Sequence, residues 1–220
     1  MNELVEIFNA ALLIYVGLFP IVNPLGGTPV FLGLTASCTE AERDSLARHV
    51  AINSALLLAG SMFIGSHVLV FFGITLPAVR IAGGLVVIAF GWRLLQSGVD
   101  PDAERAKGAA ASPTMDSFYP LTMPLTVGPG SISVAIALGT QWPAGPLEVS
   151  RLAELAGSAI AGIVAIALTV YVCYRYGERT IGFLGRSGTN VVVRLSAFIL
   201  LCIGIQIIWA GYEALVLHKT

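Results

Sequence analysis

The chain has 220 residues, of which 56% are hydrophobic and 11% charged, and its mean hydropathy is +0.84. An average soluble domain carries roughly 25% charged residues, so a soluble fold is excluded. Twelve Lys and Arg against thirteen Asp and Glu give a net charge of −1, without the basic excess that neutralises nucleic-acid phosphates. A nucleic-acid partner is excluded with it. The three cysteines, Cys38, Cys173 and Cys202, lie far apart in apolar stretches, which reads as three small buried apolar residues with no metal or redox pairing.

A helix that crosses the roughly 30 Å hydrocarbon core needs about 20 mostly apolar residues. Runs free of Asp, Glu, Lys and Arg cover residues 7–39, 50–79, 117–147, 155–174 and 195–212. A sixth apolar run, 76–96, carries only Arg80 and Arg93 near its ends, where long side chains reach the headgroups. Six membrane helices are therefore predicted, at 5–35 (interrupted), 46–72, 76–96, 117–139 (interrupted), 153–175 and 192–216. The front of the first carries Glu3 and Glu6, unlike a cleaved signal peptide, so it is expected to stay in the mature protein. Nine Lys and Arg fall on one side of this topology (Arg43, Arg48, Arg93, Arg105, Lys107, Arg175, Arg179, Arg186 and Arg194) and three on the other (Arg80, Arg151 and Lys219). The excess places both termini outside the cytoplasm.

An internal repeat is the most informative pattern. Pro20, Pro24 and Pro29 recur as Pro120, Pro124 and Pro129, and Leu25 as Leu125, all at an offset of 100. With Pro at about 5% of residues, chance supplies such a triplet about once in a hundred sequences after all offsets are allowed for. Arg80 and Arg194 extend the parallel at a larger offset. The expected organisation is a three-helix repeat at 1–98, a cytoplasmic linker at 99–116 and a second three-helix repeat at 117–220. Three crossings per unit is an odd number, so the second copy must run the opposite way. The predicted fold class is an all-α membrane protein of six helices in two inverted three-helix repeats, with the first and fourth helices broken.

Three prolines in ten residues, beside Gly26 and Gly27 or Gly128 and Gly130, do not fit a regular helix. Irregular backbone at membrane depth survives only inside the protein or along a watery cavity, so both breaks belong at the centre. A broken helix offers free N–H groups and free carbonyls to polar solutes, and paired interruptions in inverted halves point to the binding site of a secondary transporter. The candidate substrate-binding residues are Asn23, Pro24, Gly26, Gly27 and Thr28 in the first half. Their counterparts in the second are Thr122, Thr126, Gly128, Gly130 and Ser131. No acid or base lies near either break, so the solute should be small and net-neutral or zwitterionic. The plain alternative is that Pro and Gly merely kink packed helices; a matched pair of breaks argues against it.

The string Phe19-Pro-Ile-Val-Asn-Pro-Leu-Gly-Gly-Thr-Pro-Val-Phe31 resembles the N-terminal signature of the MarC family of integral membrane proteins, also described as the neutral amino acid transporter (NAAT) family. Pro124-Leu-Thr-Val-Gly-Pro-Gly-Ser131 is similar to its second signature. The resemblance covers the whole chain. It implies a bacterial inner-membrane protein that moves glycine, alanine or other small neutral amino acids, with the Asn23–Gly26 turn and Gly128–Gly130 facing the substrate.

His67, the one histidine inside a long apolar run, is the candidate for proton coupling, set against a packing role at the span's end. Gln206, Asn53 and Ser54 read as hydrogen-bonding residues between helices, and Gly83, Gly84, Gly91, Gly157 and Gly162 as packing positions. Trp92, Tyr174, Tyr176, Trp209 and Tyr212 are expected to be interfacial anchors. No metal, catalytic residue or cofactor is expected. Coupling would be to H+ or to Na+ held by backbone carbonyls. The expected partners are a small neutral amino acid, membrane lipid and a second copy of the chain in a homo-oligomer. Rival readings are a passive channel, which also uses paired half-helices, and a non-transporting structural or regulatory protein. An enzyme would need paired acids, a nucleophile with its base or a metal set, and the spans supply none.

Overall fold

The computed structural model describes residues 2–97, 116–140 and 149–217, and all regular structure among them is helical. The linker, apart from Asp116, lies outside the described residues, as do Arg105, Lys107 and Lys219. The elements are α1 (Asn2–Val22), α2 (Pro24–Leu34), α3 (Glu40–Phe71), α4 (Leu76–Ser97), α5 (Ser117–Thr126), α6 (Pro129–Gly139), α7 (Val149–Arg175) and α8 (Gly177–Leu217). Among the described residues five helices are long and apolar enough to cross a membrane, or six when α5 and α6, bent by 70° at their junction, are counted as one broken span. The first span is interrupted after Val22, and α1 is by itself long enough to cross.

Local chemistry sets the helix ends. Thr39 and Glu42 form a reciprocal capping box at the start of α3, with Thr39 N donating to Glu42 Oε2 at 2.8 Å. Gly185 sits at φ 68° within α8, a left-handed conformation open to glycine, and divides a short leading segment from the spanning stretch Ser187–Val216. The sixth span thus starts earlier than expected, and Arg194 lies within it instead of at a helix start.

Two cores result. The larger gathers Leu18, Val22, Phe31, Leu58, Leu121, Val127, Ile163, Val170 and Tyr174 from α1, α2, α3, the α5–α6 span and α7. The smaller, Val87, Leu94, Val193, Ala197 and Leu200, belongs to α4 and α8. These two helices run antiparallel: Gly211 meets Pro77 and Arg80, Gly84 meets Gly204 and Ile208, and Gly91 meets Ala197 and Leu200. The smaller pair joins the larger core through α4 on α6 and α8 on α2. Gly83, Gly84, Gly91 and Gly162 stand at such close approaches, whereas a Cβ on Gly157 would meet no described residue within 4 Å.

One end of the bundle is closed by charge. Asp44 on α3 accepts from Arg175 at 2.7 Å and from the Tyr171 hydroxyl at 3.1 Å, both on α7. Arg43 pairs with Glu178 on α8 and donates to the carbonyl of Thr35. Arg43 and Arg175, which the sequence places on one side of the membrane, thus pair with acids at the same end of the bundle. Asp44→Asn should lower the melting temperature in detergent by about 3 °C, for a loss of about 1 kcal/mol, and the deficit should shrink in high salt. An unchanged melting curve would show that the cluster contributes nothing to stability.

Several side chains lie elsewhere than expected. Tyr174 is fully buried, while Trp92, Tyr176, Trp209 and Tyr212 are exposed as anchors should be. Cys202 and Gln206 lie on the exposed face of α8 and Cys38 and Cys173 are half-buried, so none of the three cysteines is buried, and among the described residues Gln206 joins no helices. His67 is exposed near the end of α3, with Ser66 Oγ 3.5 Å away.

Candidate functional site

Proline biases the residue before it away from helical backbone, and the two breaks answer this bias differently. In the first half only Asn23 yields, adopting φ 48°, ψ 56°, while Pro20 and Pro29 stay inside α1 and α2. Among residues with a side chain, Asn tolerates this left-handed region best. Pro24 then opens α2 at the first helical position, where its missing N–H costs nothing. Asn23 Oδ1 accepts from Gly26 N at 3.2 Å, and the amide lies where a side chain on Gly26 would be. Asn23 Nδ2 is buried and has no hydrogen-bond partner among the described residues.

In the second half all three pre-proline residues are extended: Tyr119 (φ −122°, ψ 126°), Met123 (φ −116°, ψ 123°) and Gly128 (φ −95°, ψ 178°). The Tyr119–Pro120 and Met123–Pro124 bonds are cis. The wide turns of α5 close across five residues, with Val127 N donating to Thr122 O at 2.8 Å. Regular helix resumes only at Pro129, with Gly128 before it and no side chain capping the amides of the first turn. The offset of 100 pairs Pro24 with Pro124, yet the helix restarts at Pro24 and at Pro129, so the second break extends five residues further.

Pro24, Gly26, Gly27, Thr28, Thr122, Thr126, Gly130 and Ser131 are all buried; Asn23 and Gly128 are half-buried. The hydroxyls spend their protons locally. Thr28 Oγ1 donates to Pro24 O at 2.7 Å, Thr122 Oγ1 to Ser117 O at 2.8 Å and Thr126 Oγ1 to Leu121 O at 2.8 Å. Each then offers lone pairs, so the hydroxyls form a set of acceptors. The donors are Asn23 Nδ2 and the uncapped amides of α6.

The breaks are brought together by a residue that the sequence placed among the interfacial anchors. Tyr174 on α7 stacks its ring on Phe31 of α2, centroids 4.3 Å apart. Its hydroxyl is 2.9 Å from Thr126 Oγ1 of α5, and a Cβ placed on Gly27 would lie 2.8 Å from the same oxygen. Gly27 and Thr126 thus flank one phenol group. Gly130 lies further off, packed against Val87 of α4, and His67 is not part of the cluster. A signal for Tyr174 was present: Ala159, Ile163, Ile166, Val170 and Tyr174 recur every three or four residues, and all are buried. That spacing places Tyr174 on the inward stripe of α7.

Long apolar helices, one bent span and a buried polar junction between two breaks define a multi-pass helical integral membrane protein. The MarC family profile, described as "MarC family integral membrane protein", matches residues 8–216, and the chain belongs to that family. It is 31% identical over 214 residues to the "UPF0056 inner membrane protein MarC" of Salmonella typhimurium, covering 94% of this chain and 96% of that one. It is 30% identical over 203 residues to the "UPF0056 membrane protein YhcE" of Escherichia coli, with 91% of each covered. To the "UPF0056 membrane protein YvbG" of Bacillus subtilis it is 30% identical over 211 residues, covering 94% and 96%. No solved structure matches the chain.

Proposed function

We propose that the chain is a secondary transporter of small neutral, zwitterionic amino acids such as glycine or alanine, working by alternating access across the bacterial inner membrane. In this reading the two halves are inverted three-helix repeats, both termini lie outside the cytoplasm, and no chemistry is done on the solute. The observation that carries it is the convergence of both breaks on one buried polar cluster, Gly27, Thr126 and Tyr174. Around it, carbonyl-bonded hydroxyls offer acceptors for an ammonium group, while the Asn23 amide and the start of α6 offer donors for a carboxylate. The antiparallel run of α4 along α8, and the matching contacts of α6 with α4 and α2 with α8, support the inversion.

The test is uptake by the purified protein in liposomes. Labelled glycine, alanine and serine are supplied under separate proton and Na+ gradients, followed by counterflow. Saturable, counterflow-competent uptake is the expected result; unsaturable flux would make the protein a channel, and no flux of any of the three would end the reading. Thr126→Val should cut uptake at least tenfold, since a buried hydroxyl that serves a charged solute is worth that much. Undiminished uptake by this variant would remove Thr126 from the site.

A further inference from the structure

The hydrogen bonds at Tyr174 leave one acceptor unspent. Thr126 has a single hydroxyl proton, and it goes to the Leu121 carbonyl at 2.8 Å. In the 2.9 Å contact between the two hydroxyls Tyr174 must therefore donate. The phenol oxygen keeps its acceptor capacity, and among the described residues no N–H or O–H donates to it. Such a group, fully buried between two broken helices and bonded once, to Thr126, has a lone pair free for a solute that brings its own donor. The oxygen's neighbour opposite Thr126 is the bare backbone of Gly27.

We infer that Tyr174 is a substrate-contacting residue that sets specificity: its phenol oxygen accepts an N–H of the solute's ammonium group, and its closeness to Gly27 limits what the solute's α-carbon can carry. The inference rests on the transporter reading above and narrows it to small α-amino acids with a free ammonium. A trimethylated glycine has the same charges and carboxylate but no N–H to give. A large side chain fails for a different reason: even one methyl on Gly27 would come within 2.8 Å of the oxygen, so every added carbon on the solute demands a further withdrawal of α2 from α7. Gly27 and Tyr174 touch, so α2 must draw back from α7 to admit the solute.

A double variant separates this role from simple packing. Gly27→Ala alone pushes a methyl against the phenol oxygen. With Tyr174→Phe the oxygen is gone, and the methyl lies 3.7 and 3.8 Å from ring carbons, an ordinary contact. Gly27→Ala/Tyr174→Phe therefore keeps the α2–α7 packing and lacks the phenol oxygen, both its free acceptor and the bond it donates to Thr126. The full chain in liposomes is assayed for KM and kcat of glycine uptake, with trimethylglycine and leucine as competitors. The wild type should prefer glycine to either competitor by about tenfold or more. Tyr174→Phe should raise the glycine KM about tenfold and leave competition by trimethylglycine unchanged, so that the preference for glycine over it collapses. The double variant should melt within about 4 °C of the wild type, the cost of the lost Thr126 bond, and keep the raised KM. A wild type that takes trimethylglycine as readily as glycine, or a folded double variant with the wild-type KM, overturns the inference while uptake itself stands. If the wild type moves no amino acid, the transporter reading falls and this role falls with it.

Discussion

Asn23→Ala is expected to abolish amino-acid uptake and to lower the melting temperature by several degrees. Asn23 does two separable things. It holds the left-handed backbone between α1 and α2, and its side chain caps Gly26 while keeping a buried, unpartnered Nδ2. Alanine loses both: roughly 1–2 kcal/mol for the backbone and about 1 kcal/mol for the cap. Asn23→Gly keeps the backbone at a cost of a few tenths of a kcal/mol at such a position, and removes only the amide. If the amide donates to the solute's carboxylate, the glycine variant melts close to the wild type yet still fails to transport. Wild-type uptake by Asn23→Gly would reduce Asn23 to a turn residue.

The largest loss of stability should come from Gly84→Leu or Gly204→Leu. A Cβ on Gly84 would lie 2.7 Å from Gly204 O, and one on Gly204 would lie 2.9 Å from Gly84 O. The backbones of α4 and α8 touch at this point, as small residues allow between membrane helices, where packing replaces the hydrophobic drive. A leucine at either position forces the pair apart, at a cost of about 3 kcal/mol or more, or about 10 °C in melting temperature. Gly157→Leu, in open space on α7, is the control and should melt within a degree or two of the wild type. Equal melting of all three variants in detergent would show that the α4–α8 contact does not hold the fold.

Much of the architecture was legible because the bilayer admits few solutions. Charge-free runs located the helices, and proline clusters located the interruptions at Asn23 and before Pro129. The extent of each break was less legible. The pre-proline rule operates at Tyr119, Met123 and Gly128, but Phe19 and Thr28 stay helical, so the same triplet yields one sharp turn in the first half and ten residues of wide turns in the second. Tertiary packing decides between these outcomes, and a repeat offset carries no information about it. Tyr174 was missed because Tyr176, its neighbour in sequence, is an exposed aromatic, and an aromatic at a run's end reads as a headgroup anchor. Only the helical stripe of α7 distinguishes the two. Gln206 and Cys202 failed for the converse reason: an apolar run identifies a span and leaves its rotation about its own axis open.

The separation of the interior into two cores fixes how any rocking of the molecule would be felt. The α4–α8 pair meets the rest mainly through α6 and α2, the half-helices that follow the two interruptions, with smaller contacts of α8 on α1 and α7. Were that pair to tilt during transport, it would pull on both short helices together, and the grip of Gly27 and Thr126 on the phenol between them would change at both breaks in one stroke.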